Sequence, residues 1–357
     1  MFVVRGSARS AATNGVAFRR HAVCLLGRRF TAALCRFMGT VFEVGAALLG
    51  ACIGSFLNVV IWRLQQPNPR QRSLGGRSHC PHCGALVRWF HNVPVLAWLA
   101  LRGKAACCKQ PIALRYPLVE LLTAALFFAL AAWPPHGPVF VTTANGATLD
   151  SAAAGAFGLL SVFVALLVAL SFIDLDTYLL PDVLTKPGIA VGLLAGLWPG
   201  VAGVITDDAS TPPALRSVLA SVLGMCAGGG ATWAIRAVGS WVFRREAMGF
   251  GDVKLMAMIG AFLGWQSALL TMFLGCIFGA VLGGLGSLLG RGTVIPFGPY
   301  LALGAIVTLF ARAPIVTLLF TTWPQWQRTH ASAQWLLAAM AFVALGLLFV
   351  LVRRGRR

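Results

Sequence analysis

Two sets of side chains in this sequence could do chemistry. The first is acidic: Asp174, Asp176 and Asp182 fall within FIDLDTYLLPD (Phe172 to Asp182), and Asp252 closes MGFGD (Met248 to Asp252). Each stretch abuts an apolar run, where a carboxylate is costly once stripped of water. Taken singly, Asp176 and Asp182 read equally well as solvated loop residues or helix caps, and Asp252 as the cap of the run that follows it, with Lys254 close by. Two carboxylates within hydrogen-bond reach of each other behave differently. They cannot both ionise comfortably, so one keeps a proton while the other stays charged. The charged member can then draw a proton from a water that attacks a peptide carbonyl, while the protonated member polarises that carbonyl. Spacing alone does not choose between Asp174 and Asp176 as the partner of Asp252. Gly249 and Gly251 have a place in this scheme, because glycine lets the backbone approach a partner helix closely or take a positive φ.

The second set is sulfur. Of nine cysteines, Cys24, Cys35, Cys52, Cys226 and Cys276 are isolated, whereas Cys80, Cys83, Cys107 and Cys108 crowd one basic stretch. Cys80-Pro-His-Cys83 is a tight CxxC knuckle. In a reducing compartment paired cysteines of this kind hold a structural zinc more often than a disulfide. Cys80, Cys83 and Cys108 are the expected ligands. Cys107 adjoins Cys108, and neighbouring cysteines reach one tetrahedral ion only at a cost in backbone strain. His79, His82 or His91 are alternatives for the fourth position.

The elements that must position these groups are membrane helices. The chain of 357 residues is 58% hydrophobic, 11% charged and has a mean hydropathy of +0.80, outside the range of soluble globular domains. Apolar runs near twenty residues match the length a helix needs to cross about 30 Å of hydrocarbon, and the alternating ten-residue segments of a β-barrel are missing. The expected fold is an all-α polytopic bundle of about eight or nine transmembrane helices. Its runs lie near residues 41–62, 116–134, 152–173, 184–206, 214–235, 253–265, 267–290, 299–320 and 334–352. A formal net charge of +19 raises nucleic acid as a partner, but the basic residues sit in connecting loops, as membrane topology signals do, so no nucleic acid is expected.

Segment 63–115 holds nine Lys or Arg and no acid, which makes it a cytoplasmic loop carrying the cysteine cluster. Alternating from there sets the loop around Asp150 outside and puts both acidic stretches at the cytoplasmic face. Residues 1–37 carry seven arginines and no acid and break the charge rule on this map. They read as an extension that is disordered or absent from the mature protein, with Met38 as the natural start. The remaining divisions are 38–62 as the first transmembrane helix, 116–320 as the bundle and 321–357 as an extra helix with a basic, cytoplasmic tail. Glycine-rich GAVLGGLGSLLG (Gly279 to Gly290) fits close helix packing through small residues.

With these motifs in hand, the chain resembles the bacterial type IV prepilin peptidases, also called leader peptidase/N-methyltransferases, which belong with the GxGD intramembrane aspartyl proteases. The resemblance runs from about Gly54 to Gly304 through GSFLNVVIWRL (Gly54 to Leu64), CPHCGALVRWFHNVPVLAWLALRGK (Cys80 to Lys104), RYPLVELL (Arg115 to Leu122), FIDLDTYLLPDVLTKP, MGFGDVKLMAMIGAFLGW and IPFGPYLALG (Ile295 to Gly304). It implies Asp174 and Asp252 as the catalytic pair, with Asp176, Asp182, Gly249, Gly251 and Lys254 in support. It also implies two CxxC pairs, but Ala105 stands where the family has the first cysteine of the second pair, and Ala97 where it commonly has serine.

What the resemblance implies for function is a multi-pass enzyme of the bacterial inner membrane with its site facing the cytoplasm. It removes the basic leader of prepilins or pseudopilins just before their apolar helix, with Glu246 or the dyad's own charge facing the basic leader. Use of S-adenosylmethionine to methylate the new N-terminus is implied by resemblance alone, since no glycine-rich dinucleotide-type fingerprint is present. The competing reading is a proton- or cation-coupled transporter, which would place its acids near the bilayer midplane within repeated halves. A relative that has lost catalysis and serves assembly is a third.

Overall fold

A computed structural model describes residues 9–329, with side chains from residue 33, apart from 69–71, 74, 77, 81, 144–145, 199–200, 202–213, 245, 247 and 289–295, together with positions 335 and 339. Helix α1 runs Arg9–Leu64, α2 Leu96–Ala100, α3 Arg115–Ala132, α4 Ser151–Thr177, α5 Asp182–Ala195, α6 Ala214–Phe243, α7 Phe250–Phe278, α8 Gly284–Leu288, α9 Gly298–Thr317 and α10 Trp323–Thr329. Among the described residues six helices are long and apolar enough to cross a membrane, starting at Ala33, Arg115, Ser151, Ser217, Phe250 and Gly298. The chain is a multi-pass membrane protein. The expected segment 334–352 lies outside the described residues except at two positions, and α5 is shorter than the 184–206 run, ending at Ala195 with Gly196 as its cap, while 202–213 lies outside the described residues. Backbone from Arg9 to Phe37 is helical and continuous with the rest of α1. Among the described residues the strands that depart from the all-α expectation form a hairpin of β1 (Phe140–Thr143) and β2 (Gly146–Leu149), antiparallel with Thr143 opposite Gly146. Gly146 at φ +123 makes its turn in a region closed to other residues.

Two expected runs, 253–265 and 267–290, are legs of one element. Helix α7 is interrupted at Gly264 (φ 77, ψ 172). A Cβ placed on Gly228 of α6 would lie 2.5 Å from the Met256 carbonyl oxygen and 3.2 Å from Ala268 Cβ. In an uninterrupted helix those two residues would stand about 18 Å apart, so the chain folds back at Gly264 and both legs pack on α6. Gly224 and Gly260 meet backbone to backbone, and a side chain on either would collide with the other helix. Close glycine contacts also occur at Gly50 and Gly54, which let α1 approach α3; in the glycine-rich stretch a Cβ on Gly284 or Gly286 would meet nothing within 4 Å, and 279–283 form a π-helical turn.

Hydrogen bonds and packing fix which helix ends share a side. Asn58 of α1 donates to the Tyr116 carbonyl of α3 (3.0 Å) and Gln65 to Asp176 (2.6 Å), so the end of α1, the start of α3 and the end of α4 lie together. At the far end of α4, Asp150 caps the helix by accepting from the Ala152 and Ala153 amides, and the Trp198 indole beyond α5 donates to the Ala152 carbonyl. The core between them is apolar, with Phe163 of α4 stacked on Phe262 of α7 at 4.6 Å. The first compact unit, ending at Phe310, contains all of these contacts. The second begins at Ala311, where α9 kinks, and carries a stacked Trp323–Trp326 pair.

Candidate active site

Asp174 and Asp252 arrive at the same end of the bundle on different helices. Asp174 lies three residues before the end of α4 and is 5% exposed; Asp252 is the third residue of α7 and is 8% exposed. Their carboxylates are near enough to interact electrostatically. Helix α4 ends just beyond Asp174 because Tyr178 turns left-handed (φ 55) and returns its amide to the Asp174 carbonyl. The chain then passes through Leu179, Leu180 and Pro181 into α5. Leu180 seats on Gly251, where a Cβ would lie 2.8 Å from that of Leu180. Close approach is therefore the use made of Gly251, and a positive φ is the use of neither glycine: Gly249 sits at φ −66 as the cap residue of α7.

Sequence reasoning missed a third contributor. The amide of Gly298, at the start of α9, donates to Asp174 Oδ2 at 2.9 Å. First-turn amides of a helix have no partner of their own and carry the positive end of its dipole. Asp174 is thus held by the N-terminus of α9 across 124 residues of chain. A Cβ at Gly298 would lie 2.6 Å from that same oxygen, so glycine is what lets the amide get this close. The expected run 299–320 put a helix here but could not show what its first amides face.

The other expected residues surround this pair without joining it. Asp176, two residues along α4 and so on another face, pairs with Arg115 and Gln65. Arg115 also donates to the Phe172 carbonyl (3.0 Å) and lies over its ring, tying α3 to the end of α4. Lys254 turns away from Asp252 and pairs with Asp182, which also binds Lys186 at 2.8 Å. The Lys186 and Lys254 ammonium groups hold the Asp182 carboxyl below the usual carboxylate range. Glu246 is 83% exposed and paired with Arg236 at 3.3 Å.

All four clustered cysteines come together, with the sulfurs within 4.8 Å of one another. Cys80 and Cys108 are 3.7 Å apart, Cys83 and Cys107 3.3 Å. Four thiolates at about 2.3 Å from one zinc stand roughly 3.8 Å apart, so the set suits a single tetrahedral ion. Cys107 stands with the other three sulfurs, where a fourth ligand would be needed. The adjacent pair is accommodated by a turn closing at Lys109, whose φ is +59. The crowded thiols compete for protons: the backbone amide of Cys83 draws the Cys80 thiol down to about 6, and sulfur contacts with Cys83 and Cys80 push Cys107 up to about 12.

The family model described as the Bacterial Peptidase A24 N-terminal domain matches residues 48–133, which hold the cysteine cluster. The Type IV leader peptidase family model matches residues 161–284, which hold Asp174 and Asp252. The Prepilin leader peptidase/N-methyltransferase of Burkholderia pseudomallei strain 1026b is 36% identical over 304 residues, covering 77% of this chain and 87% of the relative. The proteins of the same name from Aeromonas hydrophila and Pseudomonas aeruginosa are 38% identical over 293 residues (73% and 88% covered) and 37% over 295 (75% and 90%). No solved structure matches the chain.

Proposed function

The chain belongs to the type IV leader peptidase family, and we propose that it cleaves prepilins or pseudopilins as a membrane aspartic endopeptidase, with Asp174 and Asp252 as its two acids. The observation that carries this reading is the arrival of two buried carboxylates, one on α4 and one on α7, at the same end of the bundle. Their place near the helix ends, rather than midway, speaks against the transporter reading. The charged carboxylate takes a proton from a water molecule, whose oxygen forms a bond to the scissile carbonyl carbon. The other carboxyl gives its proton to the carbonyl oxygen. Collapse of the tetrahedral intermediate breaks the C–N bond, and the departing amine takes up a proton from the dyad.

A site at this depth suits a substrate whose basic leader stays in water while its apolar helix lies against the enzyme's own spans. The nine basic residues of 63–115, with none acidic, support a cytoplasmic setting for that end, at the inner membrane of a bacterium. Purified full-length protein in detergent, given a prepilin, is expected to release the leader as a faster-migrating product on a gel. An unshifted band under conditions where a relative cleaves the same substrate overturns the reading. Mass spectrometry of the new N-terminus reports whether one methyl group has been added, the second activity that the relatives' names carry. We assign no residues of this chain to the methyl donor.

For the cysteine loop we propose one structural zinc held by Cys80, Cys83, Cys107 and Cys108. The ion would fasten the loop by closing its two hairpin-like turns on each other. Elemental analysis is expected to find about one zinc per chain, lost from Cys80→Ser and Cys108→Ser. Unchanged metal content in both variants removes the site.

A further inference from the structure

An acid pair that shares one reaction needs a fixed separation, so contacts that hold the end of α4 against the start of α7 bear directly on the site. Two contacts cross that junction, and a third holds Asp174 from outside it. The Gly298 amide holds Asp174 from the side of α9. Leu180 seats on Gly251. Asp182 is shared between Lys254 of α7 and Lys186 of its own helix. The last is placed as a clasp. Asp182 is the first residue of α5, joined to the end of α4 by the short turn 178–181, and Lys254 lies two residues beyond Asp252. Beyond the clasp, Gly188 and Gly192 of α5 seat on Met258 and on Ala261 with Phe262 of α7, so α5 runs alongside the first leg of α7. Sliding that leg relative to α5 would move Asp252 past Asp174.

We propose that Asp182 and Lys254 are positioning residues: their ion pair sets the register between α5 and α7 and thereby the separation of the Asp174 and Asp252 carboxylates. This rests on the proposed dyad. The pair is partly open to water, the two side chains being 43% and 24% exposed, and exposed ion pairs add little to overall stability. Its loss is therefore expected to leave the fold in place and to act on geometry, where a displacement near 1 Å costs about a hundredfold in rate. Lys254 also lies over the Phe250 ring, 5.1 Å from its centre, a contact that helps hold its side chain in place.

The test is a cross-link and a kinetic comparison in the full chain in membranes. With Asp174→Cys and Asp252→Cys together, mild oxidation is expected to join the two positions, detected as a linked peptide by mass spectrometry. Adding Asp182→Asn or Lys254→Met is expected to cut the yield at least about tenfold, and the exchanged pair Asp182→Lys with Lys254→Asp to restore it. In the chain with both catalytic acids intact, Asp182→Asn and Lys254→Met are expected to lower kcat with KM near its original value, because substrate binding does not use the clasp, and the exchanged pair to recover kcat. Yields indifferent to the clasp, or a loss seen only in KM, overturn the positioning role while leaving the dyad standing. A linked peptide that never forms, even with Asp182 and Lys254 intact, removes the dyad and the clasp with it.

Discussion

Asparagine in place of Asp174, or of Asp252, leaves the leader attached to a co-expressed prepilin. The exchange preserves size and polarity, so the bundle should form and reach the membrane, yet an amide can neither accept the proton of the attacking water nor pass one to the carbonyl. Positioned acid–base groups contribute about 10²–10⁴-fold each, and because these two act as one unit either change alone is expected to cost nearly what both cost together. Processing by either variant should fall by at least about 10³-fold, read as loss of the gel shift in a timed co-expression. Cleavage that persists in both variants would dismiss these acids from the chemistry, whatever the sequence relatives are named.

The second large effect is expected at a residue with no functional group. Gly298→Ala sets a methyl where only 2.6 Å separates it from Asp174 Oδ2, so either the carboxylate swings away or the start of α9 retreats and the amide contact is lost. Either outcome moves a reacting group by about 1 Å, enough for roughly a hundredfold loss of kcat. Gly279→Ala is the control. It lies near Phe297 as well, but its added methyl would stand an ordinary 3.5 Å from that ring, and near-normal cleavage is expected. Equal activity in the two alanine variants would mean that α9 does not hold Asp174 during catalysis.

Much of this site was legible from residue types and spacing, and the remainder shows where a linear reading stops. The apolar runs matched the six long helices among the described residues and separated 253–265 from 267–290, near the break at Gly264. Asp174 and Asp176 could not be told apart by spacing because two residues on a helix point in directions about 200° apart, and only the neighbours α7 and α9 decide which direction is inward. Lys254 looked like a companion of Asp252 for the same reason, and the fold sends it to Asp182 instead. The Gly298 amide was invisible because backbone donors carry no letter. Cys107 looked redundant beside Cys108 until a left-handed Lys109 let both sulfurs turn to one centre.

The fold-back at Gly264 bears on how the protein is made. The leg 250–263 holds fourteen residues, about 21 Å of helix, against the roughly 30 Å of hydrocarbon. Its far tip, Ala261 to Gly264, is shut away inside the bundle, as irregular backbone at membrane depth has to be. A leg this short, closed by irregular backbone, is poorly suited to settle in lipid as an independent span. It is expected to need the walls that α5 and α6 provide, so Asp252 should reach its place only after α6 has paired with α7.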